Sequence, residues 1–501
     1  MKTSFIVGRA ALAVALMIGF YTLALGISVG LLWVPYAEFV FTHDVTPQLA
    51  AVCVLSAFVV LWSVLPRPDS FRAPGPQLRP EQCPRLFQRL ELIARATNQA
   101  MPAEIYLVPE ANAWVMQRGD TMGLGSRRVM GLGLPLMHSL TCSQLSAVLA
   151  HEFGHYHGGD TSIGPWIYRT RAAIERTVHA LGDRAWLQAP FRWYANVFLR
   201  ITHAVSRRQE FIADELAART VGAKPLIEGL RRIHKIAPAF AHYLRTECAP
   251  VLKAGFLPPL VDGFDQFVRA ARIAQAMDKG LEEQLAGGGT DPYDTHPPLQ
   301  DRIAALATLP QDPDPMEDPP AISLLEDVPT LDRDLMAQLA GRDKAALVPI
   351  SWSEVGSRVY VPQWQRLVQS NSAALKGVTP GSLSRLVPGL RAFGKTLVGF
   401  RNQTLDDDDA ELMASAIVGA ALTLLLIPRG GQLDVTPGHG ISVRIGGYDL
   451  QPMDLLMALK DGEIAAHTWE LQCNELGIAA ADLGAVVSPL ASAALGENAG
   501  S

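Results

Sequence analysis

The longest apolar stretches come first in the chain. Ala10 to Trp33 and Pro47 to Leu65 are almost free of charge, and each is near the roughly 20 residues a bilayer-spanning helix needs. The pattern predicts a transmembrane helical hairpin within residues 1–66, with spans at about 10–33 and 47–65. The first run is too long for a cleaved signal, and no small-residue cleavage site follows it cleanly. Lys2 and Arg9 precede the first span, and Arg67, Arg72 and Arg79 follow the second. The loop between them holds Glu38 and Asp44 with no Lys or Arg. Basic flanks stay on the cytoplasmic side, so both ends of the hairpin are expected there.

A proline-rich tether, Pro66 to Pro84, leads into mixed patterns. Arg85 to Asn98 has helical periodicity. Glu104 to Val108, Ala113 to Met116 and Arg128 to Gly133 read as strands. Leu145, Val148, Leu149 and Phe153 then recur at helical spacing between Thr141 and Gly159. Thr141 with Gln144 forms a capping-box signature at the start of that helix, and Gly158-Gly159 offers a left-handed stop. Helical patterns follow at Ile167 to Leu181 and Phe191 to Val221. The order predicts a mainly α domain with a small β-sheet over 67–309. An acidic, proline-rich linker is expected at 310–320, and an α+β accessory module at 321–501. Within that module Leu412 to Ile427 is apolar, but sixteen residues fall short of the roughly 20 needed to cross a bilayer, so a buried helix is expected, with a third membrane span as the alternative. Leu433 to Val435 and Ile441 to Ile445, around Pro437-Gly438, read as a hairpin with two helices after it.

Composition narrows the partners. A net charge of −6 over 501 residues excludes an electrostatic nucleic-acid binder. The five cysteines, Cys53, Cys83, Cys142, Cys248 and Cys473, lack metal or disulfide spacing and suit a reducing compartment. Nothing beyond the linker carries recognisable chemistry, which leaves 321–501 as a module with room for a protein partner.

The chemistry sits at His151-Glu152-Phe153-Gly154-His155, an H-E-x-x-H motif. On a helix, residues i and i+4 share a face, so both imidazoles can reach one ion, while Glu152 stands beside them as a general base. A catalytic zinc usually takes a third protein ligand. The H-E-x-x-H-x-x-G-x-x-H spacing of metzincins fails at Thr161. Glu175 is a weaker alternative, since His179 stands where a supporting acid would be. Glu210 is the other, stacked with Asp214 on one helical face; Asp214 would then hold a ligating histidine in its tautomer. His157 points away from the pair, and His203 reads as structural.

HEFGH followed about 55 residues later by SRRQEFIAD resembles the membrane-associated zinc metallopeptidase family that includes the heat-shock protease HtpX, the CAAX prenyl protease and the mitochondrial Oma-type protease. The resemblance covers about Arg79 to Leu309. It implies a zincin-like α+β domain of the gluzincin kind, with one Zn2+ held by His151, His155 and Glu210, Glu152 as general base and Asp214 in support. Asn112-Ala113-Trp114 is similar to the family's N-A-F segment, on the edge strand that pairs with substrate. Thr295-His296-Pro297 is similar to its T-H-P motif, which implies that His296 lies in the cleft and stabilises the oxyanion. One departure is the stretch between His155 and Glu210, where HtpX resembles a membrane hairpin. Here Arg169, Arg171, Glu175, Arg176 and Asp183 speak against further spans.

The function these features imply is a multi-pass metalloendopeptidase of the cell inner membrane. Its peptidase domain would face the cytoplasm, and its substrates would be membrane or membrane-proximal polypeptides. The alternative is an inactive, membrane-anchored adaptor or chaperone-like protein of the same fold.

Overall fold

The computed structural model of the chain describes residues 2–65, 71–118, 127–155, 164–182, 185–287, 296–310, 317–341, 347–397 and 407–487. The Gly158-Gly159 stop, His157, Thr295 and residues 311–316 lie outside them. The chain divides into two compact units, 1–238 with 277–331, and 239–276 with 332–501.

The first unit opens with α1 (Lys2–Thr42) and α2 (Pro47–Val64), a long apolar hairpin. Ile18, Trp33, Phe41, Phe58 and Trp62 are exposed on it. A continuous apolar surface of this kind needs a lipid or protein cover. Val14–Thr42 and Pro47–Val64 are long and apolar enough to cross a membrane. Two further helices, α6 (Gly164–Ala180) and α7 (Ala185–Thr220), pack on the hairpin, burying Ala173, Ile174, Phe191 and Phe198 against Phe20, Ala24, Ala57 and Val60. Ser63 Oγ and Thr177 Oγ1 hydrogen-bond at 2.8 Å, and Arg176 Nε donates to the Ser63 carbonyl. Neither α6 nor α7 is among the helices apolar enough to span. Charge-bearing helices can rest on the hairpin because their apolar stripes face it.

The sheet of the first unit has the order β1-β2-β4-β3, from Gln77–Leu78, Glu104–Val108, Arg127–Gly133 and Ala113–Arg118 respectively. β2 and β4 are parallel, and β3 lies antiparallel to β4 as an edge. Strand alternation puts Ile105, Leu107, Met130 and Leu132 on one fully buried face. Tyr106, Val108 and Val129 form a smaller cluster on the other face, with Phe71 and Trp114. Trp114 lies opposite Gly131, where a Cβ would fall 2.3 Å from the indole, so only glycine lets the ring lie flat across β4.

After α3 (Pro84–Ala96) and α4 (Leu134–Ser139) comes α5 (Cys142–Gly154), which packs against α3, β3 and α7. Thr141 caps it as the sequence predicts. Its Oγ1 accepts from Gln144 N, and Gln144 Oε1 accepts from Thr141 N, each at 3.3 Å. Thr141→Ala is expected to cost about 1 kcal/mol, read as a lower midpoint in chemical denaturation; an unchanged midpoint would show that neighbouring groups cap the helix.

One of those neighbours was unexpected. Residues 317–320, predicted as linker, strap across the start of α5. Pro319 O accepts from Cys142 N, Ala321 N donates to Leu140 O, and Asp318 Oδ1 accepts from Ser143 N, all at 2.8 Å. The free N–H groups of a helix start attract a carboxylate, which is why an acidic segment docks there instead of hanging free.

The second unit differs from the linear segmentation as well. It takes in 239–276, which the sequence placed in the peptidase segment 67–309. Its helix Leu260–Arg269 is drawn to residues much later in the chain: Asp332 accepts from the Leu260 and Val261 N–H groups, and Trp352 Nε1 donates to Pro259 O. β5 (Phe256–Leu257) likewise pairs with β6 (Val348–Pro349). The helix Asp407–Leu426 is 20 residues long, so the expectation of a helix too short to span was wrong in its length. Its place in a core is what sets it apart from α1 and α2. Of the apolar window at Asp408–Arg429, 78% is buried, with Ala414, Ile417, Val418 and Leu422 packed among Trp364, Val443 and Trp469. β7 (Gln432–Asp434), β8 (Ser442–Ile445) and β9 (Tyr448–Leu450) form an antiparallel meander in that order.

Candidate metal centre

The last turn of α5 and the second half of α7 meet at closest approach through Gly154. A Cβ there would come within 2.9 Å of Ala213 Cα. That contact lets Glu210, on α7, face both histidines of α5. His151 Nε2 lies 3.4 Å from Glu210 Oε2, and His155 Nε2 lies 3.6 Å from Glu210 Oε1. Ligand atoms of all three residues fall within 4.8 Å of one another. Gly154→Ala is expected to push the helices apart, costing about 1–3 kcal/mol and weakening metal retention against a chelator. A variant with wild-type melting and metal content would show that the interface can absorb the methyl group.

Behind the three residues lies a second layer of charge. His151 Nδ1 is 2.9 Å from Asp214 Oδ1, which fixes the ring so that Nε2 faces Glu210. Arg302, from the helix Leu299–Ala307, donates to Asp214 through Nε at 2.8 Å and Nη2 at 2.6 Å, and its Nη1 lies 3.5 Å from Glu210 Oε2. Arg302, Asp214 and Glu210 are all buried. His296 reaches Glu210 Oε1 through Nδ1 at 3.1 Å from a largely exposed position.

The electrostatics follow from burial and these partners. Burial opposes a charge on His151, but the bond to Asp214 and the nearby Glu210 carboxylate prevail and raise it to about 9. Burial pushes Glu152 up to about 7 and, with the charge on His151, His155 down to about 4. Glu210 and Asp214 resist the upward push of burial and stay below the usual carboxylate range, through His151 and His296 for Glu210 and through Arg302 and His151 for Asp214.

These residues fit a zinc ion. Two imidazole nitrogens and a carboxylate are among its usual catalytic donors, and bonds of about 2.1 Å in a tetrahedron put donors about 3.4 Å apart, close to the 3.4 and 3.6 Å between Glu210 and the two histidines. Glu210 Oε2 is also buried without a hydrogen-bond partner, an acceptor that a cation would satisfy.

The alternative third ligand is elsewhere: Glu175 is exposed on α6 and paired with Arg171 at 3.1 Å. Asn112 is exposed at the start of the edge strand, Ala113 is buried in it, and the Trp114 ring lies over Gly131. Arg302 was missed by sequence reasoning. Its signal was present, because with Leu299 and Leu306 it occupies one apolar stripe, and a buried arginine requires carboxylates.

An H-E-x-x-H helix whose histidines meet a glutamate from a second helix defines a site of the metallopeptidase class. Residues 80–309 match Peptidase family M48. That match and the similar proteins support a membrane-associated metalloprotease, and a metal cofactor is general in the matching family. Similar proteins include the Protease HtpX homolog of Acaryochloris marina, 25% identical over 257 residues that make up 47% of this chain and 75% of that one. The Protease HtpX homolog of Methanopyrus kandleri is 24% identical over 249 residues, 46% and 69% of the two chains. Protease HtpX of Pseudomonas syringae pv. tomato is 26% identical over 276 residues, 50% and 80%. No solved structure gives a significant match.

Proposed function

We propose that the protein is a zinc-dependent metalloendopeptidase anchored in the cell inner membrane by α1 and α2, cutting membrane or membrane-proximal polypeptides on the cytoplasmic side. The observation that carries this reading is the convergence of His151, His155 and Glu210 beside Glu152. One zinc per chain would be held by those three residues, and when bound it supplies Lewis-acid chemistry at the scissile carbonyl.

The chain's own groups do the rest. Asp214 keeps the His151 proton on Nδ1 and so leaves Nε2 free to ligate. Arg302 offsets the two buried carboxylates. Glu152, half-buried and with its proton affinity raised toward neutrality, takes the proton of the attacking water and returns it to the leaving amine. His296, on the solvent side of Glu210, donates to the carbonyl oxygen as it becomes negative. The edge strand β3, which carries Ala113 and Trp114 just after Asn112, would receive the substrate as an added strand through backbone bonds. With its ring against β4, Trp114 shapes the strand instead of gripping a substrate side chain. The basic residues flanking the two spans support the cytoplasmic orientation.

Zinc content and casein cleavage of the detergent-purified full-length protein test the proposal. About one zinc per chain is expected, with cleavage lost on chelation and regained on adding zinc. Protein purified without chelators that holds no zinc would overturn it.

Metal uptake should depend on pH. In the metal-free protein His151 carries a proton up to about 9, and zinc must displace it. Affinity measured against a competing chelator is therefore expected to tighten as pH rises from 6 toward 9. For the folded metal-free chain the sign is opposite. The raised pKa lends stability that is full below the unfolded value of roughly 6.5 and is lost as pH passes about 9, so its melting temperature should fall over that window.

A further inference from the structure

The second unit holds a cleft of about 610 Å³ between the start of the helix Leu260–Arg269, the segment 351–361 and β7, a size typical of ligand sites. One wall is a sheet edge. Among the described residues the meander order β7-β8-β9 leaves β7 paired on one side alone, and Leu433 and Asp434 of β7 line the cleft with Val435 and Thr436 after them. An edge strand along a cleft is a template for an incoming extended segment.

The lining says what that segment carries. Trp352, Val361, Leu433 and Val435 give an apolar floor, tight enough that a Cβ on Gly356 would fall 3.0 Å from the Leu433 side chain. Two carboxylates, Asp262 and Asp434, stand exposed at the cleft, and none of its lining residues is basic. Asp434 Oδ1 is fixed by Thr436, accepting from N at 2.8 Å and from Oγ1 at 2.6 Å. Side chains of an extended peptide alternate in direction. Apolar residues at every second position would meet the floor, while lysine or arginine between them would meet the carboxylates.

We propose that this cleft is a docking site for an extended polypeptide segment that alternates basic and apolar residues, bound by strand addition to β7. The source follows from the proposed function, on which that step rests: cytoplasmic segments beside transmembrane helices are rich in lysine and arginine, so the segment belongs to a membrane-protein substrate.

The test uses full-length, detergent-purified protein and a fluorescein-labelled Lys-Val-Lys-Val-Lys-Val peptide, with a Glu-Val repeat as control, followed by fluorescence anisotropy. The Lys-Val peptide is expected to bind, to weaken with salt, and to lose roughly tenfold or more in affinity in Asp262→Lys; the Glu-Val peptide is not. Because Asp262 is exposed on a helix, the fold should tolerate the change, which circular dichroism checks. A second readout avoids charge reversal altogether. Ser353 is exposed in the cleft lining and all five native cysteines are buried, so Ser353→Cys provides a reactive thiol there. A bromoacetyl Lys-Val peptide should alkylate it faster than its Glu-Val counterpart. Equal alkylation by the two peptides, or Lys-Val binding that Asp262→Lys leaves unchanged, would overturn the assignment. Neither readout involves the metal. Protein that failed to cut casein would still report on the cleft, and protein that cut casein yet ignored the Lys-Val peptide would refute the docking site alone.

Discussion

Glu152→Gln is expected to abolish casein cleavage while zinc content stays that of the wild type. The amide keeps the size and place of the carboxylate but cannot take a proton, and the residue is not among the three whose ligand atoms converge. A positioned general base contributes typically 10²–10⁴-fold, so the loss should be of about that size and should appear in kcat. Burial raises Glu152 to about 7 in the metal-free protein, which would suit the base proposed here, one that takes and returns a proton near neutral pH. A bound cation would lower it. Zinc retained with cleavage unchanged would remove Glu152 from the mechanism; zinc lost together with cleavage would make it a structural prop of the site.

Arg302→Ala is expected to be the most destabilising single change at the site. It strips two buried carboxylates of their shared cation, Asp214 of two charge-assisted bonds and Glu210 of an ion pair at 3.5 Å. Removing one partner of a buried ion pair costs about 3–5 kcal/mol, which thermal and denaturant unfolding would register. Metal affinity should fall too, because Asp214 orients His151, and losing such an outer partner costs typically 10–100-fold. Arg302→Lys restores the charge but not the planar two-pronged bond to Asp214, so it should recover part of the stability. Melting unchanged in Arg302→Ala would show that Asp214 and Glu210 find other partners or take up protons.

Much of the site was legible because its signals are local. The i, i+4 pair His151 and His155, the Thr141–Gln144 cap and the stacking of Glu210 with Asp214 are short-range consequences of helix geometry, and each stands in the structure where the spacing put it. The edge position of β3 was expected only from the resemblance of Asn112-Ala113-Trp114 to the family's N-A-F segment, and the crossover that puts β4 between β2 and β3 is what makes it an edge. Arg302 was not legible in this way. It lies 88 residues after Asp214 and 151 after His151, and nothing in its own neighbourhood says which carboxylates it will meet. The same holds for Asp318 at the start of α5, where an acidic, proline-rich run has the composition of a linker until a helix start offers its free N–H groups.

What the sequence determined alone is therefore the set of elements and the side chains carried within them: the two apolar stretches, the H-E-x-x-H helix and the partner helix bearing Glu210 and Asp214. Spacing along one chain is enough for these because helices and strands repeat over a few residues. Tertiary structure decided what those periods do not encode. It brought 239–276 into the second unit through Asp332 and Trp352, buried the helix Asp407–Leu426 among Trp364, Val443 and Trp469, and set α5 against α7 at Gly154. Each of these depends on which apolar face finds which partner across a long stretch of chain, and burial, not local pattern, makes that choice.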